Sequence, residues 1–258
     1  MHITKCGAPQ LPIFSHGDNE TTCLITATMA DKYKYTLYTY FRSSCSARVR
    51  IAAHIKGITL EYKYIHLVKG EQNAADYTSL NPSESVPTLI VTDAQSGKEV
   101  AKIRQSIAIL EYFEESRPEL PSLLPPPEDP TARAKVRELV DIVSCDIQPV
   151  TNLRVLSFVK PLNVEAKVWQ QHFMTLGFRA YENLAKEYSG KYSVGDQLTL
   201  ADCALAPGID GALRFGVDVE GQFPHVWKVW ENLKAVEAFK QGRWDNQPDT
   251  PEELRTKE

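Results

Sequence analysis

The sequence lacks the cysteine and histidine patterns that form disulfide frameworks or bind metals. Its five cysteines (Cys6, Cys23, Cys45, Cys145 and Cys203) are widely separated, odd in number and free of any CxxC pair. Its six histidines include no HxH or HExxH spacing. This pattern argues against a disulfide-stapled fold and a zinc site, and it favours reduced thiols inside a cell. We therefore expect no metal and a cytoplasmic location.

Long apolar runs and an excess of basic residues are also missing. No apolar run approaches the roughly 18 to 20 residues that a membrane-spanning helix needs. The formal net charge is −4, whereas proteins that bind phosphate-rich partners carry a basic excess. We therefore expect neither a nucleic acid nor a membrane as partner, while a small acidic substrate is compatible with a local basic pocket.

Residues 1–32 show no sustained hydrophobic period and mix Pro, Gly, Ser and Thr. The segment contains no arginine, which counts against a mitochondrial presequence. We expect a disordered extension here, with a targeting role as the alternative. Met29 precedes the first good strand and is a second possible start of the folded part.

Residues 33–117 show the pattern of an α/β domain. Aromatic and β-branched runs predict strands, Gly57 is a helix stop, and a helix between two strands allows them to lie parallel. The expected elements are a strand at Tyr35–Tyr40, a helix at Ala47–Lys56, a strand at Leu60–Leu67, a short helix at Gln72–Leu80, a hairpin of Thr88–Asp93 with Glu99–Ile103, and a helix at Ser106–Arg117.

Residues 118–130 are too rich in proline to be helix or strand, and their stiffness suits a linker. Everything beyond them, residues 131–258, shows helical periodicity and predicts an all-α domain with a C-terminal tail. The expected helices are Thr131–Phe158, Val164–Ser189, Leu200–Phe215 and Pro224–Gln241. The predicted architecture is an α/β domain followed by a helical domain.

Ser43-Ser44-Cys45 lies between the end of the first predicted strand and the start of the first predicted helix. Unpaired N–H groups and the positive end of the helix dipole stabilise an anion at such a point. The same environment lowers the pKa of a thiol. Against this, one serine suits a simple N-cap, and Cys45 has neither a partner cysteine nor a nearby histidine.

Two further pairs of residues suit ligand binding but also have structural explanations. The backbone of Val86 before Pro87 would pair with a peptide-like ligand if the bond were cis, although proline is also common at strand edges. Ser106 after Gln105 would grip a carboxylate or cap the next helix. Thr199 with Asp202 is a capping box. Taken singly, the arginines on helices predict surface roles: Arg48, Arg50, Arg154 and Arg214.

In order along the chain, these motifs resemble those of zeta-class glutathione transferases. The run from Phe41 to Ala52 (FRSSCSARVRIA) is similar to the class signature SSCxxRVRIA, and NPSESVPTL, from Asn81 to Leu89, is similar to the loop NPxxxVPxL. Gln105-Ser106 matches the (E/Q)S glutathione motif. The resemblance covers about Tyr33 to Leu254, with one departure at Ala47, where the family usually has tryptophan.

This resemblance implies a thioredoxin-like βαβαββα domain followed by a helical domain, with glutathione as cofactor. Ser43, Ser44 and Cys45 would surround the glutathione sulfur as the catalytic group. The tripeptide would be held by Gln72, Val86, Pro87, Gln105 and Ser106. For a substrate with two carboxylates, the planar arginine fork suggests Arg48 and Arg214, with Gln148 and Asn152 lining the pocket.

The activity implied is cis–trans isomerisation of maleylacetoacetate by reversible thiolate addition, as in tyrosine and phenylalanine catabolism. Conjugation or dehalogenation of small electrophiles such as α-halo acids is the first alternative, because it uses the same thiolate. A non-catalytic interaction module is the second. Members of the superfamily are usually dimers, so a homodimer is expected.

Overall fold

A computed structural model describes residues 32–256, and the expected N-terminal extension lies almost entirely outside them. The described residues from 33 onward form one compact unit. It contains a four-stranded sheet of order β2-β1-β3-β4, in which β1 and β2 are parallel and the other neighbouring pairs are antiparallel. The strands are β1 (Tyr33–Thr39), β2 (Leu60–Tyr64), β3 (Thr88–Asp93) and β4 (Glu99–Ile103).

Ten α-helices lie within the described residues. They are α1 (Ser44–Lys56), α2 (Ala75–Leu80), α3 (Ser106–Ser116), α4 (Pro130–Asp141), α5 (Leu153–Val159), α6 (Ala166–Tyr188), α7 (Leu200–Arg214), α8 (Val219–Gln222), α9 (Pro224–Lys234) and α10 (Glu237–Gly242). The predicted class, a thioredoxin-like α/β part followed by an all-helical part, is confirmed. Across residues 32–256 no helix is both long and apolar enough to cross a membrane.

The core joins the sheet to the helices that follow it. Leu37 and Leu89 from the sheet, Val49 from α1 and Leu205 from α7 are all fully buried in one hydrophobic cluster. Helix α1 packs on α7 and α10 as well as on α3. Since Ser43 and Ser44 stand at the start of α1, this packing holds them against the helical part of the molecule.

Several helix boundaries follow the local signals. Helix α1 ends at Gly57, whose φ of 70° is left-handed and whose N–H bonds back to Ala53 and His54. Asp202 accepts the backbone N–H of Thr199 at 2.8 Å, which confirms the capping box. These ends depend on short-range hydrogen bonds, which is why the sequence predicts them.

Several predicted elements were wrong in extent. The helix expected to begin at Ala47 begins at Ser44, and the helix expected to begin at Gln72 begins at Ala75. The strand expected to reach Leu67 ends at Tyr64, and a 3-10 turn begins at Leu67. The helix expected from Thr131 to Phe158 continues after α4 only as a π-helical turn to Ile147 and resumes with α5, because Pro149 has no N–H to continue the ladder. The last predicted helix is divided at Val236, which is extended.

Candidate active site

The junction of β1 and α1 places the serines at the positive end of a 13-residue helix. Ser43 is the N-cap, and its Oγ accepts the backbone N–H of Ser46 at 3.1 Å. The capping interpretation is therefore confirmed, and the hydroxyl hydrogen of Ser43 is still available to a ligand. Because the first turn of α1 carries no acidic residue, nothing there neutralises the helix dipole. An anion beside Ser43 and Ser44 would be stabilised.

A cavity of about 400 Å³ opens beside these serines. It gathers residues from α1, α7 and the segment between α4 and α5, which the sequence keeps far apart. Six predicted site residues line it: Ser43, Ser44, Arg48, Gln148, Asn152 and Arg214. Ala47 also forms part of the wall, so the departure from the family tryptophan falls on this cavity. Cys45 is half-buried and does not line it.

Arg48 is the most buried charged group of the cavity, with 2% of its surface exposed. Its Nη1 donates to Ser106 Oγ at 3.2 Å, while its Nε is buried and has no hydrogen-bond partner within residues 32–256. An unused buried donor is costly unless a ligand or water accepts from it. Arg48 is therefore prepared to receive an anionic group.

Arg214 contributes a second positive charge, at the C-terminal end of α7. Within the described residues it makes no hydrogen bond or ion pair, and its guanidinium lies 5.2 Å from the centre of the Phe215 ring. The pKa of Arg214 is lowered, first by the loss of water around its guanidinium and then by repulsion from Arg42. Both arginines line the cavity, which is thus positively charged near the serines.

The remaining predicted residues do not line the cavity. Val86–Pro87 is a cis peptide bond just before β3, and the backbone N–H and C=O of Val86 have no hydrogen-bond partner within residues 32–256. Gln72 lies in a 3-10 turn, and its Oε1 is buried without a partner. Ser106 begins α3 and meets Arg48, whereas Gln105 is exposed. Arg48 therefore links Ser106 to the cavity.

Ser106 does not cap its helix. The N-cap of α3 is Gln105, which makes no side-chain cap hydrogen bond, and Ser106 is the first helical residue. The capping interpretation of Ser106 was wrong because the hydroxyl is used by Arg48, a partner from another helix.

Gln148 and Asn152 approach the cavity from the interruption between α4 and α5. Asn152 is also the N-cap of α5, with its Oδ1 accepting the N–H of Arg154 at 3.0 Å. Its structural role therefore leaves the amide nitrogen for the cavity. Arg154 itself donates to the carbonyl of Ser83.

The sequence reasoning missed several polar cavity residues, among them Gln170 and Asp210; Tyr40, Arg42 and Thr151 also line the cavity. Gln170 is 1% exposed, donates to the carbonyl of Thr151 at 2.8 Å and leaves its Oε1 without a partner. Asp210 lies one helical turn before Arg214 on α7, and burial raises its pKa to about 6. The spacing of four residues between Asp210 and Arg214 was a usable signal, because residues so spaced share a helix face.

The loop that carries the serines is fixed by Arg50, which is fully buried. Its guanidinium donates to the carbonyls of Tyr40, Phe41 and Gly242 and to the hydroxyl of Thr39, at 3.0 to 3.4 Å. Burial lowers the pKa of Arg50 to about 10. Asp249 accepts the N–H of Phe41 at 2.8 Å from the other side. Arg50 is therefore structural, and not on the surface as its helical position predicted.

Two family models match this chain. The glutathione S-transferase N-terminal domain matches residues 42–116, and the C-terminal domain of the same family matches residues 155–237. The chain is 51% identical to the maleylacetoacetate isomerase of Aspergillus fumigatus over 86% of its own length and 95% of that protein. The chain belongs to the glutathione S-transferase family.

Solved structures of this family agree with the predicted zeta-class resemblance. A bacterial maleyl pyruvate isomerase of the zeta class matches with a TM-score of 0.75 and 36% identity, over 84% of this chain and all of that one. The maleylacetoacetate isomerase of Anaeromyxobacter dehalogenans, solved with glutathione in its active site, matches with a TM-score of 0.76 and 38% identity, over 85% and 99%. Among the described residues of our chain, no cluster of three or more His, Cys, Asp or Glu suits a metal ion.

Proposed function

We propose that this glutathione S-transferase catalyses the glutathione-dependent cis–trans isomerisation of maleylacetoacetate to fumarylacetoacetate. The observation that carries the proposal is the cavity itself, in which two serines at a helix N-terminus stand beside Arg48 and Arg214. A thiolate and a substrate with two carboxylates both need positive charge and donors, and this cavity supplies them. The names of the similar proteins point to the same reaction.

The residues beside the cavity fit glutathione as cofactor. A tripeptide needs backbone-like partners. Within residues 32–256 neither the backbone groups of Val86 nor Gln72 Oε1 has a hydrogen-bond partner. The start of α3, at Ser106, offers free N–H groups for the γ-glutamyl carboxylate, and Gln105 is exposed beside it. When bound, glutathione supplies a thiolate that adds reversibly to the activated cis double bond and so permits its rotation.

Residues of the chain would then bind the glutathione thiolate and the substrate carboxylates. Ser43 would donate its free hydroxyl hydrogen to the sulfur, and Ser44 would add its hydroxyl and the first backbone N–H of α1. Cys45 does not line the cavity, so it would act on the thiolate only as a neighbour. Arg48 and Arg214 bind the substrate carboxylates, with Gln148 and Asn152 on the opposite wall.

Conjugation of α-halo acids is the second candidate activity. It needs the same serines and one carboxylate-binding arginine, all of which line this cavity. The two activities differ in whether the thiol leaves again, and therefore in whether glutathione is consumed.

A cytoplasmic homodimer completes the proposal. The dimer would form through the α/β part and the region of α4, and sedimentation at micromolar concentration would measure it. The location is supported by the three described cysteines, Cys45, Cys145 and Cys203, which are all free thiols.

Turnover of maleylacetone, a stable analogue of maleylacetoacetate, tests the proposed reaction. Isomerisation should require glutathione without consuming it. Loss of glutathione with an α-halo acid, without isomerisation of maleylacetone, would instead favour the conjugating activity. Inactivity toward both would contradict the proposal.

A serine series tests the assigned roles. Ser43→Gly combined with Ser44→Ala removes both hydroxyls, and glycine at an N-cap costs only a few tenths of a kcal/mol. The folded double variant should lose isomerase activity, while Ser79→Ala, at an exposed serine of α2 outside the cavity, should not. Normal turnover by the folded double variant would refute the assignment.

A further inference from the structure

Asp210 is an acidic residue in a cavity that otherwise suits anions. It lies on α7 four residues before Arg214, so the two side chains share one helix face, and both line the cavity. Only 10% of the Asp210 side chain is exposed. A buried carboxylate next to a dicarboxylate site needs a reason, because it repels the groups that Arg48 and Arg214 attract.

The Asp210 carboxylate has an ion-pair partner but accepts no hydrogen bond from the described residues. Its closest cationic partner is Arg243 Nη2, at 3.6 Å from Oδ1, which is too long for a hydrogen bond. Arg243 also pairs with Asp245 at 3.3 Å, so its charge is shared. No donor within residues 32–256 makes a hydrogen bond to the Asp210 carboxylate. A side chain that is nine-tenths buried at a cavity wall and accepts no hydrogen bond from the described residues points to a ligand that donates.

The ligand group that fits Asp210 is a neutral hydroxyl. A carboxylate there would be repelled, whereas an O–H donor gains a charge-assisted hydrogen bond. The proposed substrate carries a 1,3-dioxo group, and the enol form of such a group has one O–H. We propose that Asp210 is a specificity-determining residue, whose carboxylate accepts a hydrogen bond from the enol hydroxyl of the substrate's 1,3-dioxo group.

This inference rests on the proposed function and predicts a pH dependence. The charged groups that face Asp210 are Arg243, Asp245 and Arg214, and burial is the largest cause of its raised pKa of about 6. Ionised Asp210 accepts a stronger hydrogen bond than the protonated acid does. Preference for an enolisable substrate should therefore decrease as the pH falls through about 6.

The test compares two substrates of one enzyme. Maleylacetone has the 1,3-dioxo group, while 2-chloropropionate, an α-halo acid, has a carboxylate and no hydroxyl. The measured quantity is kcat/KM for maleylacetone divided by kcat/KM for 2-chloropropionate. The titration of the glutathione thiol affects both reactions and therefore cancels in this ratio. For Asp210→Asn and Asp210→Ala this ratio should fall about tenfold, the factor expected when a charge-assisted hydrogen bond is lost, and its acid limb near pH 6 should disappear.

Asp245→Asn is the matched control, because Asp245 shares Arg243 but does not line the cavity. Its ratio should equal that of the wild type. Equal loss of both activities in folded Asp210 variants, or an unchanged ratio, would overturn the inference and leave Asp210 as a structural partner of Arg243. A wild-type enzyme inactive toward maleylacetone but active on 2-chloropropionate would overturn the proposed function, and this inference with it.

Discussion

Arg50→Lys should both destabilise the protein and impair the serine loop. Arg50 satisfies four acceptors, of which three lie in the segment just before Ser43, namely Thr39 Oγ1, Tyr40 O and Phe41 O. Lysine keeps the charge but loses the planar fork, so a single ammonium has to serve acceptors that three nitrogens now reach. At least two of these acceptors should lose their donor.

The expected loss follows from the cost of unpaired buried acceptors. Each costs about 1 to 3 kcal/mol, so two of them reduce the free energy of unfolding by about 2 to 6 kcal/mol. At about 2 to 4 °C per kcal/mol for a protein of this size, that corresponds to a fall in Tm of about 4 to 24 °C. The loosened loop should also raise the pKa of the glutathione thiol in the complex, because the serine hydroxyls no longer point at it reliably.

The assay combines thermal unfolding with an ultraviolet titration of the bound thiolate. Arg179→Lys is the control, because Arg179 is exposed on α6 and outside the cavity. A Tm within 2 °C of the wild type, or a lower Tm with an unaltered thiol pKa, would contradict the role given to Arg50. The second outcome would confine Arg50 to stability.

Three further changes test the buried groups. Burial raises the pKa of Asp210 from 3.8 to about 6, so the native state holds this proton more tightly than the unfolded state does. The free energy of unfolding should therefore fall as the pH rises from about 4 to 6. In urea titrations Asp210→Asn should remove up to about 3 kcal/mol of that fall. Lys56→Met leaves the carboxylate of Glu114, now 2.8 Å from Nζ, without its cation; we expect a loss of about 3 kcal/mol, partly restored by adding Glu114→Gln. Gly242→Ala places a Cβ about 3.0 Å from the backbone N of Ile51, and its urea midpoint should fall by the equivalent of about 1 to 3 kcal/mol.

The sequence predicts those parts of the fold that depend on local chemistry. Strands β3 and β4 begin and end where their patterns predict, and Gly57 ends α1. The helix from Thr131 was predicted too long because hydrophobic period alone does not register the missing N–H of Pro149. Local signals therefore locate elements well and locate interruptions poorly.

The site residues also differ in whether the sequence alone can predict them. Ser43 and Ser44 can be placed from the sequence, since a strand followed by small polar residues and a helix fixes their position. The role of the Ser106 hydroxyl cannot be predicted from the sequence, because its partner Arg48 comes from another helix. Asp210 depends on burial and on Arg243, which approaches from beyond α10. Motif resemblance supplies the first kind of residue, and only the folded chain supplies the second.

Arg48, Arg50 and Arg214 look alike in the sequence but differ in how many of their hydrogen-bond donors are already used. Arg50 is fully buried with all three of its nitrogens engaged, so it has nothing left for a ligand. Arg48, two residues earlier on α1 and therefore on a different face of the helix, uses Nη1 and leaves its buried Nε without a hydrogen-bond partner among the described residues. Arg214 has no hydrogen bond to any described residue. Since an unused buried donor is costly, a ligand that accepts from Arg48 would stabilise it. Arg214 is exposed and also offers donors to a ligand, whereas Arg50 can only position the serines.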